Sequence, residues 1–159
     1  MDSLMDLRKI VKSAAIVLAL AFSLTGATSD KMRQFDEFGD INCEGEMARL
    51  DNFAVQLQNE PNAKGVMIFY GGRRFRGRLP KQGEAAARAA RMKPYLVERR
   101  GIPSERVVVI DGGYKEEFQV ELWVIPAEAT TPSPSSTIPA KDIKFQKGKA
   151  TARQFKCQI

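Results

Sequence analysis

The sequence predicts an α+β fold, a two-layer α/β sandwich of βαβαββ order with a mixed sheet and two helices on one face. Three observations carry this. Residues 66–70 (Val66, Met67, Ile68, Phe69, Tyr70) form an unbroken apolar run stopped by Gly71 and Gly72, the mark of a strand covered on both faces. Two stretches with apolar residues at helical spacing flank that run, one between the Asn42 cap and Pro61 and one at 82–99. Two further runs, β-branched at 107–110 and alternating at 118–125, follow the second helix. Helices between strands require crossover connections, and the right-handed rule stacks both against the same sheet.

Each element has a local cause. Residues 31–38 alternate imperfectly through Met32, Gln34 and Phe35 before Gly39 and Asp40 turn the chain, so the first strand is weak. Asn42 can cap the first helix, and Glu44 and Glu46 stand in its first turn, where the helix dipole favours anions. Met47, Leu50, Phe53, Ala54 and Leu57 make its apolar stripe, and Pro61 with Asn62 ends it. The strand at 66–70 should be central. A basic loop follows, with Arg73, Arg74, Arg76 and Arg78 around Phe75, a residue expected to anchor the loop on the core rather than to stack.

The second helix carries Ala85, Ala89, Met92 and Leu96 on one face and Arg88, Arg91 and Arg99 elsewhere. Pro94 removes a backbone donor and should bend it, and Gly101 stops it. The last two strands are joined by a short solvated loop, Lys115, Glu116 and Glu117, that permits a hairpin. Residues 127–140 shift to Thr, Pro and Ser, a linker with too little apolar surface to fold. Residues 141–159 keep Ile143, Phe145 and Phe155, enough for one returning strand.

Composition excludes most enzymology. With 159 residues the chain is one domain's length, and it contains no histidine, which removes imidazole bases, Ser-His-Asp and Cys-His relays and histidine-ligated metals. Two cysteines alone cannot build a thiolate zinc site, so neither metal nor cofactor is expected. No serine is followed three residues later by lysine. Asp36, Glu46, Asp111, Glu116 and Glu117 sit where caps and turns need them, and no glycosidase pair stands out among them. The chain reads as a binding module, not an enzyme.

The N-terminal region reads as an export signal. Arg8, Lys9 and Lys12 precede an apolar run at 14–22, then Leu24 and the small residues Thr25, Gly26 and Ala27, which suit cleavage after Ala27. The run is shorter than the ~20 residues of a membrane span. The expected organisation is a signal peptide at 1–27, a folded domain at 28–126, the linker at 127–140 and a C-terminal segment at 141–159, with an uncleaved anchor as the alternative. Export places the protein in the periplasm or cell envelope, not membrane-spanning after cleavage. The formal charge of +6 then says little about nucleic acid, which is not an expected partner. In an oxidising compartment Cys43 and Cys157 are expected to form a structural disulfide, with two free or intermolecular thiols as the alternative.

Arg88 with Ala89, then Met92, Tyr95 with Leu96, Gly101 with Ile102, and Arg106 resemble the second-helix signature of OmpA C-terminal-like domains, periplasmic modules that bind peptidoglycan. Phe35 with Asp36, Leu50, Leu57, Tyr70 and the sequence Val120, Glu121, Leu122 fall in the same order, so the likeness spans roughly 31–126. It implies that Arg88 holds a carboxylate of the diaminopimelate residue while a loop aspartate holds its ammonium group. A guanidinium suits this, being permanently charged and forked.

The aspartate position, however, is Gly72 or Arg73, Lys81, Glu84 and Ala85 replace the residues usual before the arginine, and Phe118 and Gln119 replace the arginine pair usual before the last strand. Glu84 is the candidate substitute carboxylate. Arg73 and Arg74, beside Arg88, instead favour a carboxylate- or phosphate-bearing ligand. The expected site is therefore Gly72, Arg73, Arg74, Glu84 and Arg88, and the expected partner peptidoglycan or another anionic envelope polymer. Two alternatives stand beside it: an envelope protein bound by a module that has lost wall binding, and a solvated loop with Arg88 in an ordinary surface ion pair.

Overall fold

The computed structural model describes residues 31–155 and Cys157. The expected signal peptide lies outside the described residues. In chain order the elements are β1 (Arg33–Phe38), α1 (Cys43–Asn59), β2 (Ala63–Gly72), the two-residue β3 (Lys81–Gln82), α2 (Glu84–Ala89), α3 (Met92–Pro94), β4 (Val107–Lys115), β5 (Gln119–Pro126) and β6 (Gln146–Lys149). The fold is α+β with a mixed sheet of order β1-β5-β2-β4, in which β2 runs antiparallel to β5 and parallel to β4.

The first helix forms as its residues dictate. The Asn42 side chain accepts from the Gly45 amide at 2.9 Å, satisfying one of the unpaired donors of the first turn. Leu50, Phe53, Ala54 and Leu57 are buried in one cluster with Met92 and Leu96 from the second helical region and with Met67, Phe69, Val120, Leu122 and Val124 from the sheet. Both helices therefore lie on one face. Each fully buried Leu or Phe contributes roughly 1.5–3 kcal/mol.

The second helical region is broken, as Pro94 requires. Alpha-helical hydrogen bonding holds over α2, resumes over α3 and widens into a π-type turn at Tyr95–Arg99, which closes with Ile102 N donating to Leu96 O at 3.0 Å. Gly101, at φ +69°, then takes the left-handed conformation that ends it.

Two expectations about the C-terminal half need correction. First, β4 and β5 do not form a hairpin: both pair with β2, on opposite edges. The reason is that β2 buries both of its faces, Val66, Ile68 and Tyr70 on one and Met67 and Phe69 on the other, and so takes the centre. The Lys115–Glu117 connection crosses the end of β2, where the Arg73 amide donates to the carbonyls of Lys115 (3.0 Å) and Glu116 (3.1 Å).

Second, residues 127–140 do not hang free. They contain no strand or α-helix, yet Ile138 is buried and the segment lies across the sheet face opposite the helices. Thr137 and Ile138 amides both donate to Tyr114 O, and the Ser135 amide donates to the buried Tyr70 hydroxyl at 3.1 Å. Beneath this segment a satisfied polar network centres on Glu121, which accepts from Lys115 (2.9 Å), Tyr70 (3.2 Å) and Trp123 (3.1 Å). A few well-placed hydrogen bonds to an apolar sheet face, which a composition average cannot register, hold the segment down.

The returning strand is present as β6, but it pairs in parallel with β3 in a separate two-stranded sheet. Cys43, the first residue of α1, and Cys157 form a disulfide across a separation of 114 residues. Among the described residues no helix is long and apolar enough to cross a membrane.

Candidate functional site

The mouth between the end of β2, the start of α2 and the end of β1 is built around Arg88. Its position on α2 aims it back across the helix N-terminus, and the side chain is only 8% exposed. Nη1 donates to Asp40 Oδ1 at 2.8 Å, and Nε lies 3.5 Å from Glu84 Oε1, one helical turn earlier. The guanidinium carbon stands 3.7 Å from the Phe75 ring centroid, 5.0 Å from that of Phe118 and 4.9 Å from that of Phe155. Three ring faces and two carboxylates therefore share one cation.

This corrects the surface reading of Arg88. It is a buried, internally paired group, and among the described residues its Nε is the one buried side-chain nitrogen or oxygen without a hydrogen-bond partner. Phe75 is likewise not a core anchor: Arg78 (4.5 Å) and Arg76 (5.3 Å) also stack on its ring, so it serves as a platform for three guanidinium groups.

Glu84 is fully used by its neighbours. Arg78 donates to both of its oxygens at 3.1 Å, and the Lys81 amide donates to Oε2 at 2.9 Å, which also satisfies a donor just ahead of α2. A carboxylate so engaged is not free to take a ligand's ammonium group. Gly72 has a steric cause: a Cβ there would meet Arg74 O at 2.6 Å and Phe118 N at 2.7 Å, both backbone. An aspartate therefore cannot stand at this position without moving the loop. Arg73 points elsewhere, to Glu116 at 3.4 Å. Of the five expected site residues, Gly72, Arg74, Glu84 and Arg88 line one cavity of about 60 Å³ and Arg73 does not.

The residue missed from the sequence is Asp40. Its Oδ2 also accepts from Arg76 Nε at 2.6 Å, so it bridges two arginines from 36 and 48 residues away. Read locally it is only the second residue of a Gly-Asp turn, and no sequence pattern links it to α2. Asp111, Tyr114 and Phe145 complete the cavity wall. Among the described residues no group of three or more carboxylate or thiol side chains converges to hold a metal ion.

Burial alone would raise the Asp40 carboxyl, but hydrogen bonds from Arg88 and then Arg76 outweigh it and hold its pKa below the ordinary value. Glu84 follows the same pattern, burial opposed by Arg78 and the Lys81 amide, and again the net direction is down. Asp51 and Glu60 are lowered chiefly by hydrogen bonds from Arg100 and Arg33. Lowered carboxylates stabilise the fold above their unfolded pKa values near 4, and that contribution is lost as pH falls through the lower folded values. Urea midpoints should thus be level from about pH 7 to 5 and fall between about pH 4 and 2. A midpoint that rises on acidification would contradict these pairings.

A scan against protein-family models and a search of curated proteins found no match to this chain.

Proposed function

We propose that the chain is a non-catalytic cell-envelope binding module, exported and akin to OmpA C-terminal-like domains, that takes peptidoglycan or another anionic wall component at the Arg88 cleft. The observation that carries the reading is a surplus of positive charge at a cavity with aromatic walls. Arg74, Lys81 and Arg88 line it and Arg76 and Arg78 stack on its Phe75 wall, against three carboxylates, Asp40, Glu84 and Asp111. Arg74 lines the cavity and, among the described residues, makes no ion pair, only a 3.4 Å contact with Gly77 O. The ligand-facing cation is thus Arg74, with Arg88 setting the potential behind it.

The test is co-sedimentation of the protein with purified sacculi at low salt. Arg74→Glu should weaken pelleting by about tenfold while leaving the urea midpoint unchanged, since Arg74 is exposed and unpaired. Pelleting indifferent to this substitution rejects the site.

A second reading has one specific observation in its favour. Arg88 is already paired internally with Asp40 and Glu84, so the cleft has no bare guanidinium of the kind that a diaminopimelate clamp requires. In that reading the module joins an envelope protein assembly. A protein partner recovered from envelope fractions should then survive muramidase digestion, and its loss on digestion points back to the wall.

A further inference from the structure

We propose that the segment from Ile143 to Phe155, tethered through Cys157, is a strap that occupies the Arg88 cleft as an internal ligand and competes with the ligand the cleft takes from outside. The competition rests on the cleft being a binding site, as proposed above. The closure itself rests on contacts along the segment.

Those contacts fall on the cleft. β6 adds to the β3 edge, with Gln146 N donating to Pro80 O at 3.0 Å and Ala150 N to Gln82 O at 2.9 Å, while the Gln146 side chain donates to Leu79 O at 2.7 Å. Phe145 forms part of the cavity wall and meets Tyr114 edge-on, ring centroids 6.3 Å apart. Phe155 supplies one of the three rings around Arg88, and its carbonyl accepts from Arg91 Nη1 at 2.7 Å. Phe155 thereby packs against a guanidinium whose buried Nε lacks an acceptor.

The strap is nonetheless weakly held by its own burial. Three of the four β6 residues and residues 152–154 are exposed, and among the described residues of this stretch only Ile143 is buried. A segment with few buried apolar contacts opens at low local cost. Besides these hydrogen bonds its hold is covalent: Cys157 is tied to Cys43 on α1, which holds Phe155 at high effective concentration over Arg88. Opening would remove that ring from the guanidinium and present Arg74 and Arg88 together to a carboxylate or phosphate.

Hydrogen exchange and ligand binding on the oxidised chain, on Phe155→Ala and on the Cys43→Ser/Cys157→Ser chain test this, with sacculi and tripolyphosphate as probes. Phe155→Ala keeps the disulfide and guards against a general loss of fold. Amides at 81–88 are expected to exchange at least about tenfold faster, relative to those of β2, in both variants, and each probe to bind more tightly by a similar factor. Unchanged relative exchange at 81–88 in both variants overturns the strap, whatever the binding. Faster exchange with equal or weaker binding of a probe that the oxidised chain does bind overturns the competition. Where no form pellets sacculi, the wall reading fails and tripolyphosphate decides alone: tighter binding by the variants upholds the strap, and equal affinity or no binding in all three forms overturns it.

Discussion

Arg88→Ala should lower the stability of the fold by about 3 kcal/mol, the low end of the range for removing one partner of a buried ion pair, because Asp40 stays 24% exposed to water. The cost has two sources. Asp40 and Glu84 lose a shared counter-charge, although Arg76 and Arg78 remain to hold one oxygen or more of each. The space between the Phe75, Phe118 and Phe155 rings also empties, and a void so enclosed loses its dispersion contacts. Arg88→Lys keeps the charge but not the plane that stacks on the rings, so it should recover less than half of the loss. Urea unfolding of the three proteins measures this, and a shift under about 1 kcal/mol for the alanine variant would mean that the cluster is not a structural centre.

Removing the Cys43–Cys157 bridge by double serine substitution is expected to have the largest effect, roughly 4 to 5 kcal/mol from the loop-closure entropy returned to the unfolded chain. The loop closed by the bridge takes in nearly all of the described structure, so the unfolded ensemble gains freedom over its whole length. Thermal unfolding with and without dithiothreitol gives the same comparison on the natural sequence. A bridge-free protein melting within a few degrees of the oxidised one would show that the disulfide acts only on the strap and not on the folded domain as a whole.

Much of the architecture could be read along the chain because its causes are local. Asn42 caps α1 within three residues, the 66–70 run announces a strand buried on both faces, Pro94 disturbs the second helix, and Gly101 ends it. The cysteine pairing was also legible, since with two cysteines only one intramolecular pair exists. Strand order was not. A short loop after Lys115 is compatible with a hairpin, and only the demand of β2 for a partner on each edge sends β5 to the far side.

The site divides in the same way. Gly72, Arg74, Glu84 and Arg88 were legible as neighbours because β2 and α2 bring them together within a short stretch of chain. Their roles were not, because charge on a residue does not say which charge it meets. Glu84 is consumed by Arg78, Arg88 by Asp40, and Phe75 turns from an anchor into a stacking platform once three arginines converge on it.

By itself, then, the sequence determined the helices, the central strand, the lack of imidazole chemistry and the basic character of one loop, all consequences of composition and spacing within a turn or two of chain. The tertiary structure decided the sheet order, the docking of residues 127–140, the Asp40–Arg88 pair and the placing of Phe155 against Arg88. The physical reason is that each of these joins groups tens of residues apart. Such contacts form only where several surfaces compete for the same partner, and which one wins depends on burial and geometry that no local window contains.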